Sequence, residues 1–321
     1  MSLRIGFAIL SYNEPGQLLR LTRTLGALFD GPPIVCHHNF NQCALDTDAF
    51  GSYVDFVTPF VNTQWGHITT VRAALRAFDV LRRTARPDWI VLLSGSDYPV
   101  RPADQIAAEL KDATVDAFLD HRRVALGGAW SAAAPRVGFA RPEWVEVAYD
   151  RYCALRAPYP RPSPQLLREH VFPVRRAEMS IRNPHLIRRF VKPAPAPIYG
   201  GAFWFQANAR AIDALLDSPL RRAAISYFNR RPVPEESLIH TLLCNTPGVR
   251  ISGDHKRYED WTACGKHPKW LGPDDLPRVF DSSAHFARKF FDDGVTQDRV
   301  DRELLGLERP TTSLRPTVAH A

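Results

Sequence analysis

Two carboxylates stand side by side in Val233-Pro-Glu-Glu-Ser237. Proline at a first helical position and acids in a first turn are ordinary helix-start chemistry. The same residue types also fit a general base. A carboxylate that takes a proton from an alcohol must be anionic, positioned and partly desolvated. Adjacent side chains cannot both point the same way, so at most one of Glu235 and Glu236 is that base. A second constellation is Trp89-Ile-Val-Leu-Leu-Ser-Gly-Ser-Asp-Tyr-Pro-Val100. An apolar run rich in β-formers breaks into Ser94-Gly95-Ser96, then presents Asp97. That pattern reads as a buried strand delivering a small-residue loop and one carboxylate to a sheet edge, where open α/β sheets bind ligands.

Other segments add surfaces. Gly200-Gly201 precedes Ala-Phe-Trp204-Phe205. The glycines let a ligand lie against backbone, and Trp204 offers an apolar face to a sugar ring; a β-bulge before a core strand is the plain alternative. Trp65-Gly66-His67 enters a helix near Ile68. Gly66 permits close approach, and Thr69 and Thr70 sit in the first turn, where amides are free for an anion. Two basic segments, residues 255–269 and 284–291, hold cations between aromatics, which suits a bound phosphate. Metal-dependent enzymes that hold a divalent cation against a sugar-linked diphosphate present Asp-x-Asp after a central strand. Ser94-Gly95-Ser96-Asp97 has one acid there, so no metal is expected. Asp46-Thr47-Asp48, in a polar loop, is the alternative if a metal is used.

These residues need elements to hold them. Strands are expected over residues 4–10, 33–38, 54–57 and 89–93. Helices are expected over 15–28, from about 68, where Ile68, Val71, Leu75 and Phe78 space by three and four, and over 103–110. Such alternation argues for a mostly parallel sheet with helices on its faces. The Arg- and Pro-rich stretch 121–195 reads as loops and short helices. The division expected is one large domain over 1–308, changing character near residue 120, then a frayed tail over 309–321.

Bulk properties limit the function. The chain has 321 residues, 45% apolar, with 41 basic against 34 acidic side chains, hence a net charge of +7. That is ordinary for a globular protein with a sizeable core. The positive balance suits an anionic partner such as a nucleoside diphosphate or a membrane surface. The arginines are scattered and do not interleave with aromatics, so nucleic acid is not expected. No run approaches the ~18–20 apolar residues of a membrane span. The N-terminal apolar run reads as a first core strand, not a signal peptide. Five cysteines show neither a CxxC pair nor zinc spacing, so reduced thiols and a cytoplasmic location are expected, with peripheral contact at the inner membrane face left open.

In order along the chain, these segments resemble the core-2/I-branching N-acetylglucosaminyltransferase family, which includes the peptide O-xylosyltransferases (glycosyltransferase family 14). The resemblance runs from about Ile5 to about Asp301. It rests on Trp65-Gly66, Leu92-Leu93-Ser94-Gly95-Ser96-Asp97-Tyr98-Pro99, Gly200-Gly201-x-x-Trp204-Phe205, Pro234-Glu235-Glu236-Ser237 with His240-Thr241, Arg257-Tyr258-x-x-Trp261 and Phe286-Ala287-Arg288-Lys289-Phe290.

The resemblance implies a GT-A-type, Rossmann-like sandwich, with a nucleotide-binding half (1–120) and an acceptor half (121–308) that carries the C-terminal diphosphate-binding segments. It implies an inverting, metal-independent transferase that moves a sugar, GlcNAc or xylose, from a UDP-sugar to an acceptor hydroxyl. The acceptor could be a glycan, a lipid-linked oligosaccharide or a protein. Glu236 would be the base. Leu10, Tyr12 and Asn39 would meet the nucleoside; the family usually has Asp at the last of these. Lys289, helped by Arg288 or Lys269, would neutralise the diphosphate, with Lys266 and His267 competing for the second contact. Trp65, Gly66, Asp97, Gly200, Gly201, Trp204 and Glu235 would surround sugar and acceptor. A non-catalytic carbohydrate- or nucleotide-binding protein on the same scaffold is the alternative from another class.

Overall fold

Period-two burial inside the apolar runs builds the centre of the molecule. In strand β1 (Ile5–Ser11), Phe7 and Ile9 face one helical layer and Ala8 the other; in β4 (Trp89–Ser94), Trp89, Val91 and Leu93 oppose Ile90 and Leu92. Both faces are apolar because helices cover both, the usual condition of a parallel strand. The computed structural model describes residues 3–125, 144–161, 175–262, 267–291 and 293–307. The expected tail, Lys266 and Cys264 lie outside them.

β1 pairs in parallel with β4 and with β2 (Ile34–His38), and β2 with β3 (Val54–Phe56). Beyond β4 the sheet continues through antiparallel β11 (Gln206–Asn208), then β6 (Ala117–Phe118) and β12 (Ile251–Ser252). The order is β12-β6-β11-β4-β1-β2-β3, seven strands and mostly parallel. Strand order reverses between β1 and β4, so their carboxyl ends flank the crevice where such sheets bind ligands.

Helices α1 (Pro15–Leu28), α3 (Ala103–Lys111), α9 (Leu276–Phe280) and α10 (Thr296–Glu303) cover one face. Helices α2 (Ile68–Thr84), α4 (Trp144–Tyr152), α6 (Ala209–Leu216), α7 (Arg221–Phe228) and α8 (Leu238–Cys244) cover the other. The spacing of Leu18, Leu21 and Leu25 places all three in the core at 0% exposure, each contributing about 2 kcal/mol by burial.

A second, three-stranded sheet joins β5 (Asp97–Pro99), β14 (Phe286–Arg288) and β13 (Arg257–Glu259). Its register aligns Asp97, Arg288 and Glu259 in one row. α10 is fastened beneath it: Arg20 binds Asp301 at 2.8 Å, and the Tyr98 hydroxyl donates to Asp301 at 2.7 Å.

Three local expectations change. The Pro-rich stretch from Tyr159 is not all loop: β8 (Leu155–Arg161) pairs with β9 (Arg175–Ile181) as an antiparallel ribbon. Proline fits such a ribbon where its nitrogen faces away from the partner strand. The ribbon is followed by α5 (Pro184–Phe190). The segment 202–205 is not itself a strand. A short β10 (Tyr199–Gly200) pairs with β7 (Arg122–Arg123), and β11 begins only at Gln206. The acids at 235–236 do not open a helix directly; a 3-10 turn, Pro234–Glu236, precedes α8.

Candidate active site

The carboxyl ends of β1, β2 and β4 meet through their backbones. The Gly95 amide donates to Leu10 O and the Asn39 amide to Ser11 O, each at 2.9 Å. Tyr12 stands half-exposed at this edge. Asn39 does not: it is fully buried. Its Nδ2 donates to the Thr63 carbonyl and hydroxyl, each at 3.0 Å, and to Asn62 at 3.3 Å, while its Oδ1 accepts from the Asn41 amide. An aspartate could not donate to the Thr63 carbonyl. That gives Asn39 a local reason in this chain: it shapes the segment leading to Trp65.

The acidic turn is tied to Trp65-Gly66. Val233 adopts φ 52°, a left-handed conformation unusual for a β-branched residue. Its amide donates to Gly66 O at 2.9 Å, and the Gly66 amide donates to Glu235 Oε1 at 3.1 Å. Gly66 has φ +70°, which suits glycine. The two acids diverge, as adjacency requires. Glu235 is buried, and burial pushes its carboxyl up to about 7. Glu236 keeps about a third of its side chain exposed and pairs with Arg151 at 2.8 Å.

The glycine pair backs this turn. The Gly201 amide donates to Glu236 O at 2.9 Å. A Cβ on Gly201 would fall 2.0 Å from Asp120 O, so only glycine fits. Ser237 Oγ donates to Tyr199 O at 2.6 Å and His240 binds Ala202 O at 2.8 Å, which anchors the segment to α8.

Three residues after Gly201, Trp204 carries the Arg288 guanidinium 4.5 Å above its ring. Arg288 Nε lies 3.1 Å from Asp97 Oδ1, and its Nη1 3.7 Å from Glu259. Asp97 is fully buried, accepting from Ser94 Oγ at 2.6 Å, with Arg257 Nε at 3.9 Å. Burial pushes its carboxyl up, and the two guanidiniums and Ser94 pull it back. The expected sugar contact at Asp97 therefore has no exposed atom; the residue orients Arg288 and Arg257 instead.

The lysines divide sharply. Lys269 Nζ lies 2.6 Å from Asp275 and 3.7 Å from Asp260. Lys289 Nζ lies 5.5 Å from the centre of the Trp270 ring and has no ion pair among the described residues. Burial, with Arg288 beside it, pushes the Lys289 ammonium down. His267 packs edge-on to Trp65, centroids 5.9 Å apart. The acidic turn and the basic segments are thus bridged twice, by residues 201–204 and by Trp65–His267.

Two expected sites are otherwise engaged. The His67 side chain accepts from the Thr69 amide at 3.4 Å and its carbonyl from the Thr70 amide at 3.1 Å, so those amides are capped. Asp46 caps a short turn by accepting from the Asp48 amide at 3.1 Å. Among the described residues no three His, Cys, Asp or Glu side chains group to hold a metal, and no helix is long and apolar enough to cross a membrane. Cys36, Cys43, Cys153 and Cys244 are free thiols. Arg151 and Trp270 were not singled out in the sequence. Nothing local distinguishes one arginine in an Arg-rich stretch, and Trp270 gains meaning only from Lys289.

The family model described as core-2/I-branching enzyme matches residues 42–126 and 168–280. Beta-glucuronosyltransferase GlcAT14B of Arabidopsis thaliana is 25% identical over 246 residues, 74% of this chain and 49% of the relative. Beta-glucuronosyltransferase GlcAT14A of the same plant is 24% identical over 234 residues, 70% of this chain and 44% of the relative. The chain spans about half the length of these curated relatives. The matched segments run from the polar loop after β2 through the acidic turn to α9, on an α/β sheet of the GT-A-like kind, and the chain belongs to the core-2/I-branching enzyme family of glycosyltransferases.

Proposed function

We propose that the protein is an inverting glycosyltransferase that uses a UDP-sugar and needs no metal. One observation carries the reading: residues 201–204 touch both the turn bearing Glu236 and the strand end bearing Arg288 and Lys289. A base and a cation for a leaving group then flank one crevice. The acceptor hydroxyl gives its proton to Glu236 as its oxygen attacks the anomeric carbon. The bond from that carbon to the diphosphate oxygen breaks, and UDP leaves with the electron pair. A preorganised cation stabilises that developing charge electrostatically. Lys289 supplies it, with Arg288 held by Asp97 behind it.

The relatives' names move the donor question. GlcNAc and xylose stay as candidates, and a glucuronosyl donor joins them as the first to test. The acceptor is a glycan, lipid-linked or protein hydroxyl, and the positive charge suits peripheral contact with an anionic membrane carrying such an acceptor.

UDP release from UDP-glucuronate, UDP-GlcNAc and UDP-xylose, with and without sugar acceptors and with EDTA, tests the proposal. Turnover is expected in EDTA. Glu236→Gln is expected to retain UDP binding and lose transfer by roughly 100-fold, the scale of a general base. Near-normal turnover of Glu236→Gln removes the base assignment. Strict dependence on Mn²⁺ removes metal independence. Binding without any turnover favours a carbohydrate-binding role.

A further inference from the structure

We infer that Glu235 is a positioning residue: its carboxyl latches the Trp65-Gly66 loop onto the turn that carries Glu236, so that the Trp65 indole and the base are held as one unit. The inference rests on the transferase reading above. Two hydrogen bonds make the latch. The Gly66 amide donates to Glu235 Oε1 at 3.1 Å, and the Val233 amide donates to Gly66 O at 2.9 Å. The first joins residues 169 positions apart. Both flanking backbones are left-handed, Gly66 at φ +70° and Val233 at φ 52°. A left-handed β-branched residue is strained and persists only where its surroundings over-determine it. Trp65, directly before the latch, presents its indole 69% exposed at the same edge.

The second oxygen of Glu235 sharpens the role. Oε2 is buried and has no hydrogen-bond partner among the described residues. A buried carboxylate with one oxygen unmatched is costly, whereas a neutral carboxylic acid there is tolerable. The charged and titratable groups around it are Glu236 on the same turn and Arg151 and Tyr152 on α4. Tyr152 donates its hydroxyl to Val233 O at 2.7 Å, and Arg151 pairs with Glu236. A neutral Glu235 therefore accepts from Gly66 without repelling the Glu236 carboxylate beside it.

Steady-state kinetics of Glu235→Ala, Glu235→Gln and Trp65→Ala test the latch, with UDP affinity measured for each. In Glu235→Ala we expect acceptor KM to rise and kcat to fall, each about tenfold, with UDP affinity within twofold of wild type. Glu235→Gln is expected to recover most of that loss, because its amide oxygen still accepts from Gly66 and it carries no charge. Its activity should also hold above pH 7, where the wild-type acid ionises and activity declines. Trp65 is exposed, so Trp65→Ala should fold, and it should reproduce the rise in acceptor KM. Unchanged acceptor KM in both Glu235→Ala and Trp65→Ala overturns the latch. So does a Glu235→Gln enzyme as impaired as Glu235→Ala. Failure of the base assignment reads out separately, in Glu236→Gln.

Discussion

At the residue scale the two lysines make the sharpest contrast. Both lie among aromatics and cations in sequence, and both were candidates for the diphosphate. In the fold, Lys269 is held between Asp275 and Asp260, a pair that also binds Arg278 at 2.7 and 3.2 Å. Lys289 rests on Trp270 instead. Lys289→Ala should therefore weaken UDP binding about tenfold to a hundredfold, corresponding to the ~1.5–3 kcal/mol of a charged hydrogen bond. Lys269→Ala should leave UDP affinity nearly unchanged and lower the urea midpoint. Titration of UDP by calorimetry separates the two. A larger affinity loss in Lys269→Ala would transfer the diphosphate role to it. The family resemblance puts Lys289 first; that Lys269 is taken up by acids was not legible in the sequence, because it depends on where Asp260 and Asp275 fold.

At the element scale, the three-stranded sheet of β5, β14 and β13 sets the electrostatics. Its register places Arg288 between Asp97 and Glu259. Asp97 is 0% exposed, and two guanidiniums approach it. Removing one partner of a buried ion pair leaves the other uncompensated, at about 3–5 kcal/mol. Asp97→Asn should destabilise the fold on that scale in urea denaturation, and it should loosen Arg288 over Trp204. A change under about 0.5 kcal/mol, the size of an ordinary surface substitution, would argue against this row. The parallel strands, α1 and α2 were readable because each carries its own period. This smaller sheet was not. Its strands are three residues long, and Asp97 meets Arg288 from 191 positions away. One carboxylate after β4 was legible; that it faces inward depends on partners no local pattern announces. The acidic turn falls between: its Pro-Glu-Glu chemistry was visible, while its fastening to Gly66 was not.

At the scale of the whole molecule, two buried titrating groups bias stability in opposite directions as pH changes. Burial lowers His285 from 6.5 to about 4, although Glu109 lies 2.9 Å away. The unfolded state then binds more protons between pH 4 and 6.5. This histidine contributes stability that is lost as pH falls through that window. Glu235 does the reverse. Its carboxyl rises from 4.5 to about 7, so the folded state binds more protons between those values, and stability is lost as pH rises through them. Each full shift corresponds to about 3 kcal/mol at 1.36 kcal/mol per unit. Comparison with single variants isolates each effect. Relative to Glu235→Gln, the wild type should lose stability by up to about 3 kcal/mol between pH 4.5 and 7. Relative to His285→Gln, it should gain a similar amount between pH 4 and 6.5. Urea midpoints across pH 4–7.5 measure both. Parallel curves for wild type and Glu235→Gln would mean that Glu235 titrates near its ordinary 4.5 in the folded protein as in the unfolded chain. A neutral latch beside an anionic base requires that the curves diverge.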